Sequence, residues 1–570
     1  MLSRLLKSPK PISSLRRLSL TTQKNVIFKS FAKAVPTPSG SFAQYMMKQM
    51  WKHYLRDPQK TAIVNVASPS QKMTYGDIYL QSLSVASFLH QNDFRHGSVA
   101  AVVLPNCCQY VPIIMGIGLT GGITTPASPI YTEAELTTQF NDSQAKIVFC
   151  LDLFLDATLE AVEKSPSVKK VVVLRAFPDS IALPENPMVI DYLDVKKVIP
   201  ETDHSMIEIN EERDMFILPY SSGTTGAPKG VMLTHKNLST TVVNFDHAMA
   251  HDVFGDFDPP YDGFNESQLI FMPFYHIFGF GSLMGALNLG ATIATMPKLD
   301  LELYCKTVQD YKIRAAMVVP PVMVAFAKHS CVDEYDMSSL EILVSGAAPL
   351  GKETIDMVKK RLPNLKHVFQ GWGMTEVCMI ATIPSLKNPT KPDSVGRLMP
   401  GFEMRIVDPS TGKSCNKNEI GEIWLRGKQI MLGYLNRPQS TAECLDDEGW
   451  LHTGDIGYAD DTHQVFIVDR MKELIKVSGY QVPPAELESL MLTHPKIKDV
   501  AVIGIPNERK GEVPRAFVVK SGDVTEQEIE EFVASKVAPY KKLRGGVVFI
   551  DEIPKSPAGK ILRRVLKEQK

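Results

Sequence analysis

The stretch richest in chemical groups runs Tyr220-Ser221-Ser222-Gly223-Thr224-Thr225-Gly226-Ala227-Pro228-Lys229-Gly230. Ser221, Ser222, Thr224 and Thr225 carry hydroxyls, the glycines let the backbone bend and approach a ligand closely, and Lys229 adds positive charge. Hydroxyls, open N–H groups and a cation together suit phosphate oxygens. The stretch is not a Walker A loop, because Pro228 stands where that pattern requires Gly. Further along, Asp455 beside Gly454 can accept two hydrogen bonds from vicinal ribose hydroxyls or form an Asx turn. His276 lies among aromatics in Phe274-Tyr275-His276-Ile277-Phe278 and is either core packing or a group facing a ligand. The chain has no G-x-S-x-G nucleophile elbow and no H-E-x-x-H zinc motif.

The elements that must position these groups alternate in type. Met215 to Leu218 is a strand-like apolar run directly before the Ser/Gly stretch. Val99 to Leu104, Ala145 to Cys150 and Lys170 to Leu174 are continuous apolar runs, as expected of buried strands. Thr74-Tyr75-Gly76-Asp77 opens a helical pattern. Strands alternating with helices predict an α/β fold with a largely parallel sheet. Leu340 to Leu350 predicts a strand ending in a small-residue turn, and Glu419 to Arg426 alternates like a strand, most clearly in its later part. After Arg470 polar residues interrupt that pattern and a second βα-type region begins, with a helix from Pro484 and strands near 500–504 and 515–519. Gly116-Ile117-Gly118-Leu119-Thr120-Gly121 matches G-x-G-x-x-G, but it follows a helix-like segment rather than a strand, so no dinucleotide site is expected.

A chain of 570 residues exceeds one hydrophobic core, so at least two domains are expected. The formal net charge of −1 gives no reason to expect a nucleic-acid partner. Eight cysteines without a C-x-x-C pair argue against a zinc site or a disulfide framework. Gly279 to Met296 lacks charges but holds four glycines, which predicts a buried segment rather than a membrane span. The first 56 residues contain no Asp or Glu and carry Arg4, Lys7, Lys10, Arg16, Arg17 and Lys24 among Ser and Leu, the composition of a mitochondrial transit peptide.

The motifs in their order resemble those of the adenylate-forming enzymes, the superfamily of acyl-CoA synthetases, 4-coumarate–CoA ligases and firefly luciferase. The resemblance covers about residues 60–566 and is carried by Ser221–Gly230, Ser345-Gly346-Ala347-Ala348-Pro349, Gln370-Gly371-Trp372-Gly373-Met374-Thr375-Glu376, Asp455, Asp469-Arg470-Met471-Lys472 and Pro554-Lys555…Gly559-Lys560. It implies a large N-terminal domain over 42–470, with mixed and parallel sheets covered by helices, and a small mobile α/β domain over 471–570; the basic composition sets residues 1–35 apart as the leader. It implies that Ser221, Ser222, Gly223, Thr224, Thr225 and Lys229 hold the β- and γ-phosphates of ATP. Gln370 and Gly371 would border the adenine, Thr375 the α-phosphate, and Glu376 would bind Mg²⁺. Asp455 would hold the ribose, Arg470 ribose or phosphate, and Lys472 would be the hinge. His276, Phe278, Phe280, Gly346 and Ala347 would form the acid pocket. Lys560 would bridge carboxylate and α-phosphate, while Lys476, Ser478, Gly479 and Gln481 would serve transfer to CoA.

The reaction so implied is an ATP-dependent acyl-CoA synthesis through an acyl-adenylate, with release of pyrophosphate and then AMP. Where 4-coumarate–CoA ligases usually carry a Tyr two residues after the pocket His, this chain has Phe278. That difference, with the mitochondrial address, points to a medium- or long-chain fatty acid. An aromatic acid is the alternative, and a luciferase-like oxidase or an inactive nucleotide-binding protein stand behind it.

Overall fold

The computed structural model describes residues 26–177, 182–200, 207–221, 228–387, 389–478, 480–556 and 559–568. The expected strands form, and they form parallel pairs. Val99–Val103 lies between Ile123–Ala127 and Ala145–Leu151, and Lys170–Leu174 and Val189–Asp191 extend the same sheet. Val99–Val103 is buried along its whole length because helices cover the sheet, which explains its unbroken apolar run. On the other side Met215–Ile217 joins in parallel, then Lys229–Thr234 and Tyr220–Ser221 add antiparallel. Tyr220–Ser221 and Lys229–Thr234, which flank the Ser/Gly stretch, therefore pair at the edge of the sheet.

The Tyr75–Gln91 helix starts at Thr74, whose hydroxyl accepts from Asp77 N while the Asp77 carboxylate accepts from Thr74 N. The G-x-G-x-x-G match falls in and just beyond the Tyr110–Leu119 helix. A Cβ on Gly116 would come 2.6 Å from Val85, and one on Gly118 2.4 Å from Phe216. These glycines let elements pack closely and leave no phosphate turn. Among the described residues no helix is long and apolar enough to cross a membrane, and Gly279 to Met296 is largely the buried Ile277–Leu289 helix and the Thr292–Thr295 strand.

A three-stranded parallel sheet of Ala315–Val318, Ile342–Ser345 and His367–Gln370 carries the predicted small-residue turn at Gly346. An antiparallel five-stranded sheet ends the large domain with Glu403–Val407, Gly421–Arg426, Leu451–Ala459 and Val465–Arg470. Its fifth strand is Phe28–Lys29, which pairs with Glu403 and Met404. Phe28 is buried and Lys29 sits 2.8 Å from Glu403. These residues lie inside the 1–35 segment expected to be a leader, and here they complete a sheet. After Arg470 the next sheet comprises Ile475–Val477, Tyr480–Val482, Ile497–Asn507, Gly511–Lys520 and Val547–Phe549. It has its own apolar core around Leu487, Val502, Val518 and Ile529.

Candidate active site

A cavity of about 270 Å³ opens beyond the carboxyl ends of the parallel strands. Ser345 to Ala347 line it where Ile342–Ser345 ends, and Gly371 to Glu376 where His367–Gln370 ends. Ligands of α/β sheets bind in such crevices because the strand ends release the backbone into loops. Ala347 adopts a left-handed φ of 71°, which a short side chain tolerates at modest cost. Among the described residues, the buried Ser345 hydroxyl at this wall has no hydrogen-bond partner.

One end of the cavity is acidic and cationic at once. The buried Glu376 carboxylate accepts from Tyr434 OH at 2.8 Å and Ser221 Oγ at 3.3 Å. The Lys229 ammonium lies 5.0 Å over the ring of the same Tyr434. Asp455 is buried, and its two oxygens take different partners, Trp372 Nε1 at 2.9 Å and Arg470 Nε at 2.9 Å. Asp455 in turn raises the Arg470 pKa above its ordinary value. Thr375 and Arg470 reach the cavity wall.

Lys560 enters this space from the small domain. Its turn is tied at Ser556, whose N donates to Lys560 O at 2.8 Å and whose Oγ accepts from Lys560 N at 3.2 Å. Burial pushes the Lys560 amine pKa down, and Arg470 pushes it the same way against Glu473 and Asp455. The structure thus joins residues far apart in the sequence, Ser221, Glu376, Arg470 and Lys560, around one cavity.

His276 caps the Ile277–Leu289 helix, its Nδ1 accepting from Phe278 N at 3.3 Å. Burial, and secondarily the nearby Lys560, lowers its pKa to about 4. The ring is therefore neutral at physiological pH, with its proton on Nε2. Phe278 lines the cavity and lies 3.3 Å from where a Cβ on Gly346 would stand. Tyr275, Met317, Val344, Met379 and Ile380 add mostly apolar wall. Phe280 does not belong to it. It is fully buried in the core and faces Phe216 at 6.4 Å, because two positions along a helix turn a side chain about 200° away from Phe278.

Gln370 also departs from expectation. Its amide accepts from Leu350 N at 2.9 Å and donates to Pro392 O at 3.2 Å, so the side chain braces two loops while Gly371 faces the cavity. Lys472, Lys476, Ser478 and Gln481 are exposed, the last three on the Ile475–Val477 and Tyr480–Val482 hairpin outside the cavity. Ser222, Gly223, Thr224, Thr225 and Gly479 lie outside the described residues. Trp372 and Tyr434 carry two of the key hydrogen bonds yet were given no role from sequence. Trp372 stands inside a recognised motif, whereas nothing local marks Tyr434.

Comparison with known proteins agrees with this geometry. The AMP-binding enzyme family matches residues 50–435, and the AMP-binding enzyme C-terminal domain matches 486–560. "4-coumarate--CoA ligase 2" of Nicotiana tabacum is 41% identical over 515 residues, covering 89% of this chain and 91% of its own. "4-coumarate--CoA ligase" of Vanilla planifolia is 39% identical over 554 residues, 96% of each chain. Among solved structures, ATP-bound MatB from Rhodopseudomonas palustris superposes with a TM-score of 0.80 at 26% identity, covering 92% of this chain and 98% of that one. The anthranilate CoA ligase AuaEII with anthranoyl-AMP shares the fold, with a TM-score of 0.82 at 23% identity over 94% of this chain and 98% of that one. The chain belongs to the AMP-binding enzyme family and is an AMP-forming acid–CoA ligase of that family.

Proposed function

We propose that this protein activates an apolar carboxylic acid with an aromatic or similarly flat body and transfers it to CoA. The observation that carries the reading is Lys560 and the neutral His276 meeting at one cavity beside the Asp455–Arg470 pair. The relatives at about 40% identity are 4-coumarate–CoA ligases, which favours an aromatic acid over the fatty acid expected from the sequence. A fatty acid remains the second reading on one observation: Phe278 and Met317 line the cavity with apolar side chains that offer no hydroxyl or amide.

In the first step a carboxylate oxygen attacks the α-phosphorus of ATP. The new O–P bond forms as the bond to the β-phosphate breaks, giving acyl-AMP and pyrophosphate. Two anions must meet, so the site has to supply cations and aligned donors. Lys560 sits where it can hold both the carboxylate and the α-phosphate. A lowered pKa costs it little, because two incoming anions restore the ammonium. His276 Nε2–H can donate to the carboxylate without adding a second charge next to Lys560. Asp455 holds the ribose hydroxyls, Thr375 and Arg470 the phosphate, and Ser221 to Thr225 with Lys229 the β- and γ-phosphates. Glu376 would hold Mg²⁺, which supplies charge neutralisation on the phosphates; its buried, hydroxyl-backed carboxylate is the hard oxygen donor such a cation takes.

In the second step the CoA sulfur attacks the acyl carbon, AMP departs with the bonding pair and the thiol proton passes to solvent. The Lys476–Gln481 hairpin, exposed here, would serve this step after the small domain turns about Lys472. Nine to ten aromatic and aliphatic acids offered with ATP and CoA would decide the substrate, read as AMP and pyrophosphate release. The proposal expects turnover with cinnamate-like acids above that with hexanoate to palmitate. The reverse order would favour the second reading, and no AMP with any acid would sink both.

Import into mitochondria belongs to the same proposal, resting on the acid-free basic N-terminus. Because Phe28 is buried in a sheet, processing should cut before it. N-terminal sequencing of the mature protein checks this, and a mature start beyond Lys29 would contradict it.

A further inference from the structure

The Pro320–Lys328 helix of the large domain follows the strand that bears the cavity residue Met317, and it touches the small domain at both ends. At its start, Gly559 sits over Val319 and Pro321, each 3.5 Å from where a glycine Cβ would stand. Gly559 directly precedes Lys560. At its end, the Lys328 ammonium donates to two backbone carbonyls of the small domain, Ile497 O at 3.1 Å and Leu492 O at 3.4 Å. Leu492 closes the Pro484–Leu492 helix, so its carbonyl carries the negative end of that helix's dipole, where a cation is favoured. Ile497 opens the next strand. One amine thus clamps both sides of a helix-to-strand turn. Burial lowers the Lys328 pKa and Asp499 opposes it, as expected of an amine drawn from water into an interface.

A nine-residue helix is about 13 Å long, so these two contacts are well separated and fix an orientation rather than a single point. A third contact reinforces them: a Cβ on Gly351, at the start of the Lys352–Arg361 helix, would lie 3.0 Å from Ser489 of the small domain. The contacts that Lys328 makes are charge-assisted and polar, and its side chain remains partly exposed, so water can replace the carbonyls when the domains part.

We propose that Lys328 is a positioning residue for adenylation, docking the small domain in the one orientation that puts Lys560 into the cavity. It does not touch the reacting atoms. The inference rests on the reading of Lys560 given above, and it adds that the large domain selects the adenylating orientation through a lysine on a helix outside the cavity.

The test separates the half-reactions in Lys328→Met, which keeps the apolar stem, and Lys328→Arg, which keeps a charged donor. In Lys328→Met, acid-dependent pyrophosphate exchange into ATP should fall about tenfold in kcat, the worth of one or two charge-assisted hydrogen bonds. KM for ATP and acid should hold, and CoA-dependent consumption of supplied acyl-AMP should stay the same or rise. Lys328→Arg should recover most of the exchange rate. Equal loss in both half-reactions, no loss in either, or no rescue by Arg would overturn the inference. Lys560→Ala in the same assay keeps the two ideas apart. If it leaves exchange intact, the Lys560 reading fails; if it abolishes exchange while Lys328→Met is normal, only the docking role fails. Should Lys328→Met not fold, a fully active Lys328→Gln would overturn the proposal and one slowed in exchange alone would support it.

Discussion

On the large-domain side of the cavity, Glu376 lines the wall and Asp455 stands behind the lining residues Trp372 and Arg470; both carboxylates are buried and each already holds two side-chain partners. From the small domain, among the described residues, only Ser556 and Lys560 reach the same space. The two halves of the site are therefore built differently. The large domain offers a prepaired surface whose groups are oriented before any ligand arrives, and such preorganisation favours binding. The small domain contributes one cation on a short turn, while its Lys476–Gln481 hairpin faces solvent. A group supplied that way can be withdrawn. The contrast teaches that binding and chemistry are separable here: variants in the wall should change affinity and stability together, and variants in the turn should change one rate.

The largest effect on the wall side is expected from Asp455→Ala. It leaves Trp372 Nε1 and the Arg470 guanidinium without their acceptor. Removing one partner of a buried pair costs up to about 3–5 kcal/mol, and the partial exposure of Arg470 reduces that to about 2–3. Urea denaturation should show the loss, and KM for ATP should rise at least tenfold. Unchanged stability would mean that the wall is not prepaired.

Trp372→Phe should follow with a smaller effect. It removes one hydrogen bond to a buried carboxylate, worth about 1–2 kcal/mol. KM for ATP should rise about tenfold while KM for the acid stays put. A change in acid affinity instead would place Asp455 at the wrong end of the cavity.

The smallest effect concerns pH. The native His276 pKa is lowered from 6.5 to about 4, so between those values the unfolded chain binds a proton that the folded chain does not. Stability is therefore free of this penalty above pH 6.5 and declines as pH falls toward 4. His276→Gln should flatten that slope, with a difference of about 1 kcal/mol at pH 5.5 and none at pH 8. Parallel slopes in variant and wild type would show that the ring is not held neutral.

The wall and the turn were not equally legible in the sequence. Runs such as Val99 to Leu104 announced buried strands because both faces of their sheet are covered. Glu376, Asp455, Arg470 and Lys560 were recognisable because each sits in a local motif, and the fold brings their side chains together. Phe280 was misassigned because proximity in sequence to His276 does not settle which helical face a side chain takes. Gln370 was misassigned because its partners, Leu350 and Pro392, lie about twenty residues away on either side. Tyr434 and Lys328 left no trace at all, since each acts through a pairing made only by tertiary structure. Basic composition marked the N-terminus but could not show that Phe28 and Lys29 complete a sheet.

The most direct measurement of the central claim is a comparison of the two half-reactions in Lys560→Ala. Acid-dependent pyrophosphate exchange into ATP should fall by about a hundredfold or more, the scale expected for removing a group that stabilises transition-state charge. Consumption of supplied acyl-AMP by CoA should stay within about threefold of wild type, because Lys560 has no part in that step. Exchange at the wild-type rate, or equal loss in both reactions, would contradict the account.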